Sequence, residues 1–206
     1  MTDTNPIVFI VDDDDSVRKA LTRLVKSVDL TVETFASADD FLKRDSHNGP
    51  ACLVLDIRMP GLSGLDLQDE LVAAGRTLPI IFVSGHGNIP ISVRAMKAGA
   101  VDFIEKPFED QSLLDAINHS LQKDRQTKLE QAELREIQRR ADSLTPRERE
   151  VFALVVSGKL NKQIAFKLGT SERTIKAHRA RVMKKMQAKS LADLIRLAEK
   201  VISYPV

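Results

Sequence analysis

The sequence is poor in residues that define several protein classes. Its 206 residues hold one cysteine (Cys52), one tyrosine and no tryptophan. A single thiol cannot close an internal disulfide, which excludes a disulfide-framed secreted scaffold and suits a reducing compartment. The four histidines (His47, His86, His119 and His178) are scattered without metal-ligand spacing. No apolar run approaches the roughly 18 residues that span a bilayer. The start, Met-Thr-Asp-Thr-Asn-Pro, lacks the basic segment and cleavage site of a secretory signal. A cytoplasmic protein with no membrane contact is expected. Aromatics at 4% disfavour recognition of single-stranded nucleic acid by base stacking.

What is present is an ordinary globular composition, 43% apolar and 29% charged, which excludes wholesale disorder. The length suits two small domains better than one. The net charge of +2 conceals a polarity: residues 1–122 carry 11 Lys and Arg against 19 Asp and Glu, a balance of −8, and the remainder carries 20 against 10, or +10. Two modules with different partners are implied, the basic one being a candidate for nucleic acid.

Residues 1–122 alternate short apolar runs with amphipathic stretches. Strands are expected at Ile7–Val11, Thr31–Phe35, Cys52–Leu55, Pro79–Val83 and Val101–Ile104. Helices are expected at Ser16–Ser27, Ala38–Arg44, Gly64–Ala74, Ile89–Ala98 and from about Asp110. That alternation predicts an α/β domain with a parallel sheet covered on both faces. The uniformly apolar first and third runs fit strands buried on both sides.

Residues 123–142 lack Pro and Gly, favour helix, and offer Glu with Lys or Arg at helical spacing. Their apolar positions are too sparse for a domain, so they read as a helical linker continuing the fifth helix, with a dimeric coiled coil as the other reading. From residue 143 to 206 the signals are wholly helical. Thr145-Pro146-Arg147-Glu148 is a capping box with proline at the first helical position. Helices 146–157 and 161–168 end at Gly158 and Gly169. A third, capped by Thr170 or Ser171, runs to about Met186. A fourth, opened by Ser190, reaches about Ile202.

In an open α/β sheet, function gathers at the carboxyl ends of strands, near the point where strand order reverses. Asp12 and Asp13 follow the first strand, Asp56 the third, Ser84 the fourth, and Lys106 and Pro107 the fifth. In a flavodoxin-like order 2-1-3-4-5 these groups converge on one edge. Carboxylates about 4 Å apart repel by roughly 4 kcal/mol per pair at an effective dielectric near 20, so a hard divalent cation is expected to relieve them. A carboxylate beside such a cation, a lysine and a hydroxyl suits formation of an aspartyl phosphate. Asp14, Asp15 and Ser16 read instead as acids and a hydroxyl favoured at a helix N-terminus.

The stretches IVDDD (10–14), LDIRMPGLSG (55–64), FVSGHG (82–87) and MKAGAVDFIEKPF (96–108) resemble the signatures of bacterial response-regulator receiver domains. The resemblance implies that Asp56 accepts phosphate from a cognate sensor histidine kinase. It implies Mg²⁺ or Mn²⁺ held by Asp13, Asp56 and the backbone carbonyl of Arg58, with Asp12 assisting. Ser84 would be the switch hydroxyl, Phe103 the switch aromatic, and the bond before Pro107 cis. Phenylalanine at 103 in place of the frequent tyrosine leaves ring packing alone to carry any switch. Arg58 and His86 would flank the water path to the phosphoryl group and tune dephosphorylation.

In the basic module, helices 161–168 and 171–186 form a helix-turn-helix pattern. On the second, Ile175, His178, Val182 and Met186 fall on the core side. Arg173, Ala177, Ala180 and Lys184 lie opposite, with Thr174, Lys176 and Arg181 on the shoulders. Small residues flanked by cations suit the major groove of double-stranded DNA. The segment 144–186 resembles the LuxR-type DNA-binding domain, and the whole chain resembles the NarL/FixJ regulators, closest to the FixJ type. By position in that motif, Lys176 and Ala177 are base readers, and Asn161, Lys162, Arg181 and Lys184 contact the DNA backbone. The fourth helix (Leu191, Leu194, Ile195, Ala198) would form a dimer contact on DNA.

The expectation is a receiver at 1–122, a linker at 123–142 and a LuxR-type domain at 143–206. Together they make a phosphorylation-gated transcriptional regulator that dimerises on promoter DNA, with RNA polymerase as a further candidate partner and a nucleoid location when bound. It would have no enzymatic role beyond its own phosphoryl transfer and slow autodephosphorylation. Two rival readings are a constitutive DNA-binding protein with a structural receiver, and a phosphotransfer sink.

Overall fold

The computed structural model describes residues 5–85 and 89–203, the last two by backbone alone. The chain divides into two compact units, residues 1–128 and 129–206.

The first unit runs β1 (Ile7–Val11), α1 (Asp15–Lys26), β2 (Thr31–Phe35), α2 (Ala38–Leu42), β3 (Ala51–Leu55), α3 (Gly64–Ala73), β4 (Ile80–Ser84), α4 (Ile89–Lys97), β5 (Asp102–Glu105) and α5 (Asp110–Asp142). All strand pairs are parallel and the order is β2-β1-β3-β4-β5, as the alternation predicts. β3 and β4 are buried along their whole length. Their side chains alternate between two cores because successive Cβ atoms point to opposite faces. Phe9, Val11, Leu53, Leu55 and Phe82 pack with Phe41, Leu67, Leu71 and Ala95 on one face. Val8, Ile10, Cys52, Val54, Ile81 and Val83 pack with Leu21, Val25, Leu113 and Ile117 on the other. Each central strand therefore feeds two hydrophobic layers, and truncating one such residue, Leu53 to alanine, costs about 2–5 kcal/mol.

Strand and helix limits lie within about two residues of the expected ones. Ser84 closes β4 rather than following it. Asp14 caps α1 by accepting from the backbone N–H groups of Ser16 and Val17, and Ser63 with Asp66 forms a reciprocal capping box on α3. Both place short polar side chains on orphan amides at helix starts.

Residues 123–142 continue α5 without a break. Its buried side chains go to the flanking units: Asp124 is 1% exposed within the first, and Ile137 joins the core of the second.

The second unit adds α6 (Pro146–Val156), α7 (Asn161–Lys167), α8 (Glu172–Met186) and α9 (Leu191–Ser203). Thr145, Pro146 and Glu148 form the expected capping box, and Ser171, not Thr170, caps α8. Gly158 and Gly169 follow α6 and α7 with φ of 80° and 61°, a left-handed turn that a side chain adopts at a cost. Val151, Val155, Ile164, Ile175, Val182, Met186 and Leu194 close one core. Among the described residues no helix is long and apolar enough to cross a membrane.

Candidate functional site: an acid cluster and a basic helix face

The register of the sheet brings the acids together. Val11 pairs with Leu55 across β1 and β3, and the ladder extends one residue further, with the Asp56 N–H donating to the Val11 carbonyl at 2.9 Å. Asp12 and Asp56, the next residue on each strand, thus stand side by side. On the other flank, the Lys106 N–H donates to the Ser84 carbonyl at 3.0 Å, which carries the lysine to the same edge.

The Lys106 ammonium joins the two acids, 2.9 Å from Asp12 Oδ2 and 3.3 Å from Asp56 Oδ1. The remaining oxygens accept from backbone: Asp12 Oδ1 from the Asp14 N–H at 2.9 Å, and Asp56 Oδ2 from the Arg58 N–H at 2.7 Å. Asp12 is almost wholly buried. Burial pushes the Asp56 carboxyl above its ordinary range; Lys106 and the Arg58 N–H oppose this, and the Asp12 charge adds to it. For Lys106, burial pulls the ammonium down, but the hydrogen bond and charge of Asp12, with those of Asp56, outweigh it and hold the pKa above the usual value.

Asp12, Asp56, Lys106 and the backbone of Ser84 do converge, and the Lys106–Pro107 bond is cis. Asp13 does not join them. It is exposed, and among the described residues no three His, Cys, Asp or Glu side chains stand together as a cation cage. Lys106 offsets one of the two charges of the Asp12–Asp56 pair, and Asp13 faces solvent. Phe103 is half-buried, its ring 6.4 Å from that of Phe82. Arg58 is exposed and acts in the cluster through its backbone N–H. His86 lies outside the described residues.

Two supporting residues escaped the sequence reading. Arg18 Nη1 donates to the carbonyls of Asp12 and Asp13 at 2.7 and 2.9 Å, pinning the loop that carries both acids. Gly64 sits where a Cβ would lie 2.2 Å from the Asp56 carbonyl oxygen. The glycine was visible in sequence as a helix start; the close approach is a tertiary fact.

As for a metal, Asp12 and Asp56 offer hard carboxylate oxygens to one cationic point, and Asp13 and the Arg58 carbonyl lie one residue beyond Asp12 and two beyond Asp56. That donor chemistry fits a hard divalent ion.

In the second unit, Lys162, Arg173, Thr174, Lys176, Ala177, Ala180, Arg181 and Lys184 are all exposed, so the face expected to meet DNA is solvent-facing. Asn161 is half-buried and accepts from Arg179 Nη1 at 3.1 Å, which ties the start of α7 to α8. His178 is half-buried on the core side of α8 with its Nδ1 unpartnered. Lys185 donates to Glu148 Oε2 at 2.6 Å and to the Ser143 carbonyl at 2.9 Å, which seats α8 against α6. Phe166 is 91% exposed on α7 and was not singled out in the sequence.

Comparison with known proteins matches residues 8–118 to the family described as response regulator receiver domain, and residues 142–198 to bacterial regulatory proteins of the luxR family. Nodulation protein W of Bradyrhizobium diazoefficiens is 50% identical over 95% of this chain and 86% of its own length. The structure of the response regulator StyR matches with a TM-score of 0.88 at 47% identity, covering 96% of this chain and all of that one. Full-length FixJ from B. japonicum matches at 39% identity and a TM-score of 0.56, over 98% of this chain and all of that one.

Proposed function

Because the chain belongs to the response regulators of two-component systems that join a receiver domain to a LuxR-type DNA-binding domain, we propose that Asp56 is its phosphoacceptor and that phosphorylation gates DNA binding. The observation that carries this reading is the Lys106 ammonium held between Asp12 and Asp56. We assign residues 1–122 to the receiver, 123–142 to a helical linker and 143–206 to the DNA-binding domain.

An Asp56 carboxylate oxygen attacks the phosphorus of a phosphohistidine on the cognate sensor kinase. The P–O bond forms, the P–N bond breaks, and the leaving imidazole keeps the electron pair. Mg²⁺ or Mn²⁺, held by Asp13, Asp56 and the Arg58 carbonyl with Asp12 assisting, would neutralise the phosphoryl oxygens. Lys106 has a longer contact to Asp56 than to Asp12, so it can release the former and bind a phosphoryl oxygen. The Ser84 hydroxyl binds another. Phe103 then repacks beside β4, biasing the α4–β5–α5 face toward a second arrangement. Arg58, with His86, sets the rate at which water removes the phosphoryl group.

The gated output is a homodimer on double-stranded promoter DNA, through Lys176 and Ala177 at base edges, Arg173, Thr174 and Ala180 beside them, and Asn161, Lys162, Arg181 and Lys184 at phosphates. RNA polymerase is a further partner, and the protein works in the cytoplasm, on the nucleoid when bound.

The test is incubation of the full chain with a small acyl phosphate and Mg²⁺, followed by intact-mass spectrometry and promoter footprinting. One added phosphate in the wild type, none in Asp56→Asn, and a footprint strengthened only in the former are expected. Lys162→Ala reduces the salt dependence, log K against log salt, by about 0.9. No added phosphate, or a footprint indifferent to it, overturns the reading.

A further inference from the structure

At the amino-terminal edge of the sheet, where β3 begins rather than where Asp56 follows it, a cavity of about 250 Å³ is walled by Arg44, His47, Arg76 and Lys128. Phe9, Ala51 and Leu78 supply its apolar side. Arg44 and Arg76 bring two like charges to this small space and repel unless an anion sits between them. The acids nearby offset Lys128 and only part of the charge of the arginine pair. Asp124 is ion-paired with Lys128 at 2.8 Å, and Glu33 reaches Arg44 by its charge while Arg76 repels it.

Two of the four carry buried nitrogens with no partner. The Arg44 guanidinium lies over the Phe41 and Phe9 rings, 4.1 and 4.6 Å from their centroids, and its Nε has no hydrogen-bond partner. His47 stands edge-on to Phe9, with ring centroids 6.2 Å apart. It bonds the Pro50 backbone and leaves Nε2 buried and unpartnered. Buried polar nitrogens are nearly always satisfied in folded proteins. The Arg44 Nε–H calls for an acceptor. His47 Nε2, unprotonated while Nδ1–H serves Pro50, donates to an anion once the ring takes up a proton. Stacking on two rings fixes the guanidinium plane and leaves its N–H edge for a planar or tetrahedral oxyanion. The volume is below that of an ordinary drug-sized site.

We infer that this cavity binds a small oxyanion, the carboxylate or phosphate group of a small molecule, through Arg44, His47, Arg76 and Lys128. The site is independent of the phosphoacceptor reading, and Asp56→Asn serves as the control that keeps the two apart.

The experiment follows the His47 imidazole signal by NMR in the full-length protein, assigned by its loss in His47→Gln, during titration with inorganic phosphate, acetate and chloride at matched ionic strength. A saturable shift with phosphate or acetate, absent with chloride and retained in Asp56→Asn, is expected, and the anion that saturates first identifies the source. Arg44→Gln weakens it at least tenfold. Arg76→Gln, at an exposed position that the fold does not depend on, weakens it at least threefold. No saturable shift with either oxyanion, an equal shift with chloride, or Arg76→Gln titrating as the wild type overturns the inference.

Discussion

The carbonyl oxygen of Asp56 and the α-carbon of Gly64 are so close that a Cβ on Gly64 would lie 2.2 Å from that oxygen. The Gly64 N–H also donates to the Ile57 carbonyl at 3.0 Å, so the start of α3 rests directly on the loop carrying the acid. Gly64→Ala must push the two apart. A loss of about 1–3 kcal/mol is expected from overpacking, with phosphorylation by an acyl phosphate slowed at least tenfold, since displacements near 1 Å can cost about a hundredfold. Gly85→Ala is the control: its Cβ meets nothing nearer than the Lys106 Cβ at 4.0 Å, and a change within about 0.5 kcal/mol is expected. Urea unfolding and intact-mass time courses of both variants check this.

The Asp56 carboxyl is a balance of opposed influences, which predicts shifts of opposite sign. Burial raises it, Lys106 lowers it, and the Asp12 charge raises it. Lys106→Met therefore moves the Asp56 titration further up, and Asp12→Asn moves it down. Carboxyl-carbon NMR titration without divalent ions reads both directions. Shifts of the same sign in the two variants contradict the shared-lysine geometry.

How far the sequence foretold this arrangement depends on the range of each interaction. Strand order, the two-faced sheet and the helix caps were legible because they follow from local signals: unbroken apolar runs, Ser63 with Asp66, Thr145 with Glu148. Asp12, Asp56 and Lys106 were legible as neighbours because each ends a strand of known order. The exposure of Asp13 was not, since nothing local says which of two adjacent acids the sheet buries. Arg18, Gly64, Asp124 and the Arg44–His47 cavity depend on contacts between distant segments. Residues 123–128 read as part of the helical linker because burial there runs through the polar Asp124, which leaves no apolar periodicity.

Glu148 links stability of the second unit to pH. Its hydrogen bond from Lys185 and that from the Thr145 N–H hold the carboxyl below the ordinary 4.5. A carboxylate depressed on folding contributes stability above its unfolded pKa, and that contribution is lost as pH falls through the folded value. Melting of the second unit should therefore weaken as pH drops below about 4.5. In Glu148→Gln this part of the acid dependence disappears, and stability near neutrality is lower by about 1–3 kcal/mol. Thermal melts of both proteins across the acid range check the difference.

Asp124 seals the start of β3. It is 1% exposed, accepts from the Ala51 N–H at 2.8 Å, and pairs with Lys128 at 2.8 Å. The next residue on the strand is Cys52, whose thiol is pushed far up, first by burial and then by the Asp124 charge. A thiol so placed is inert while the strand is closed, so its modification rate measures opening of this edge. Asp124→Ala leaves the Ala51 N–H without its acceptor and frees the Lys128 ammonium, at a cost of about 1–3 kcal/mol. If opening is limited to this edge, labelling of Cys52 should accelerate by roughly 10- to 100-fold, although loss of the Asp124 charge alone would change the thiolate fraction. Asp124→Asn separates the two: it removes the charge but keeps an acceptor for the Ala51 N–H, so acceleration in Asp124→Ala alone reports opening, whereas equal acceleration in both reports the charge. Equal acceleration in the two variants would mean that Asp124 does not hold the strand.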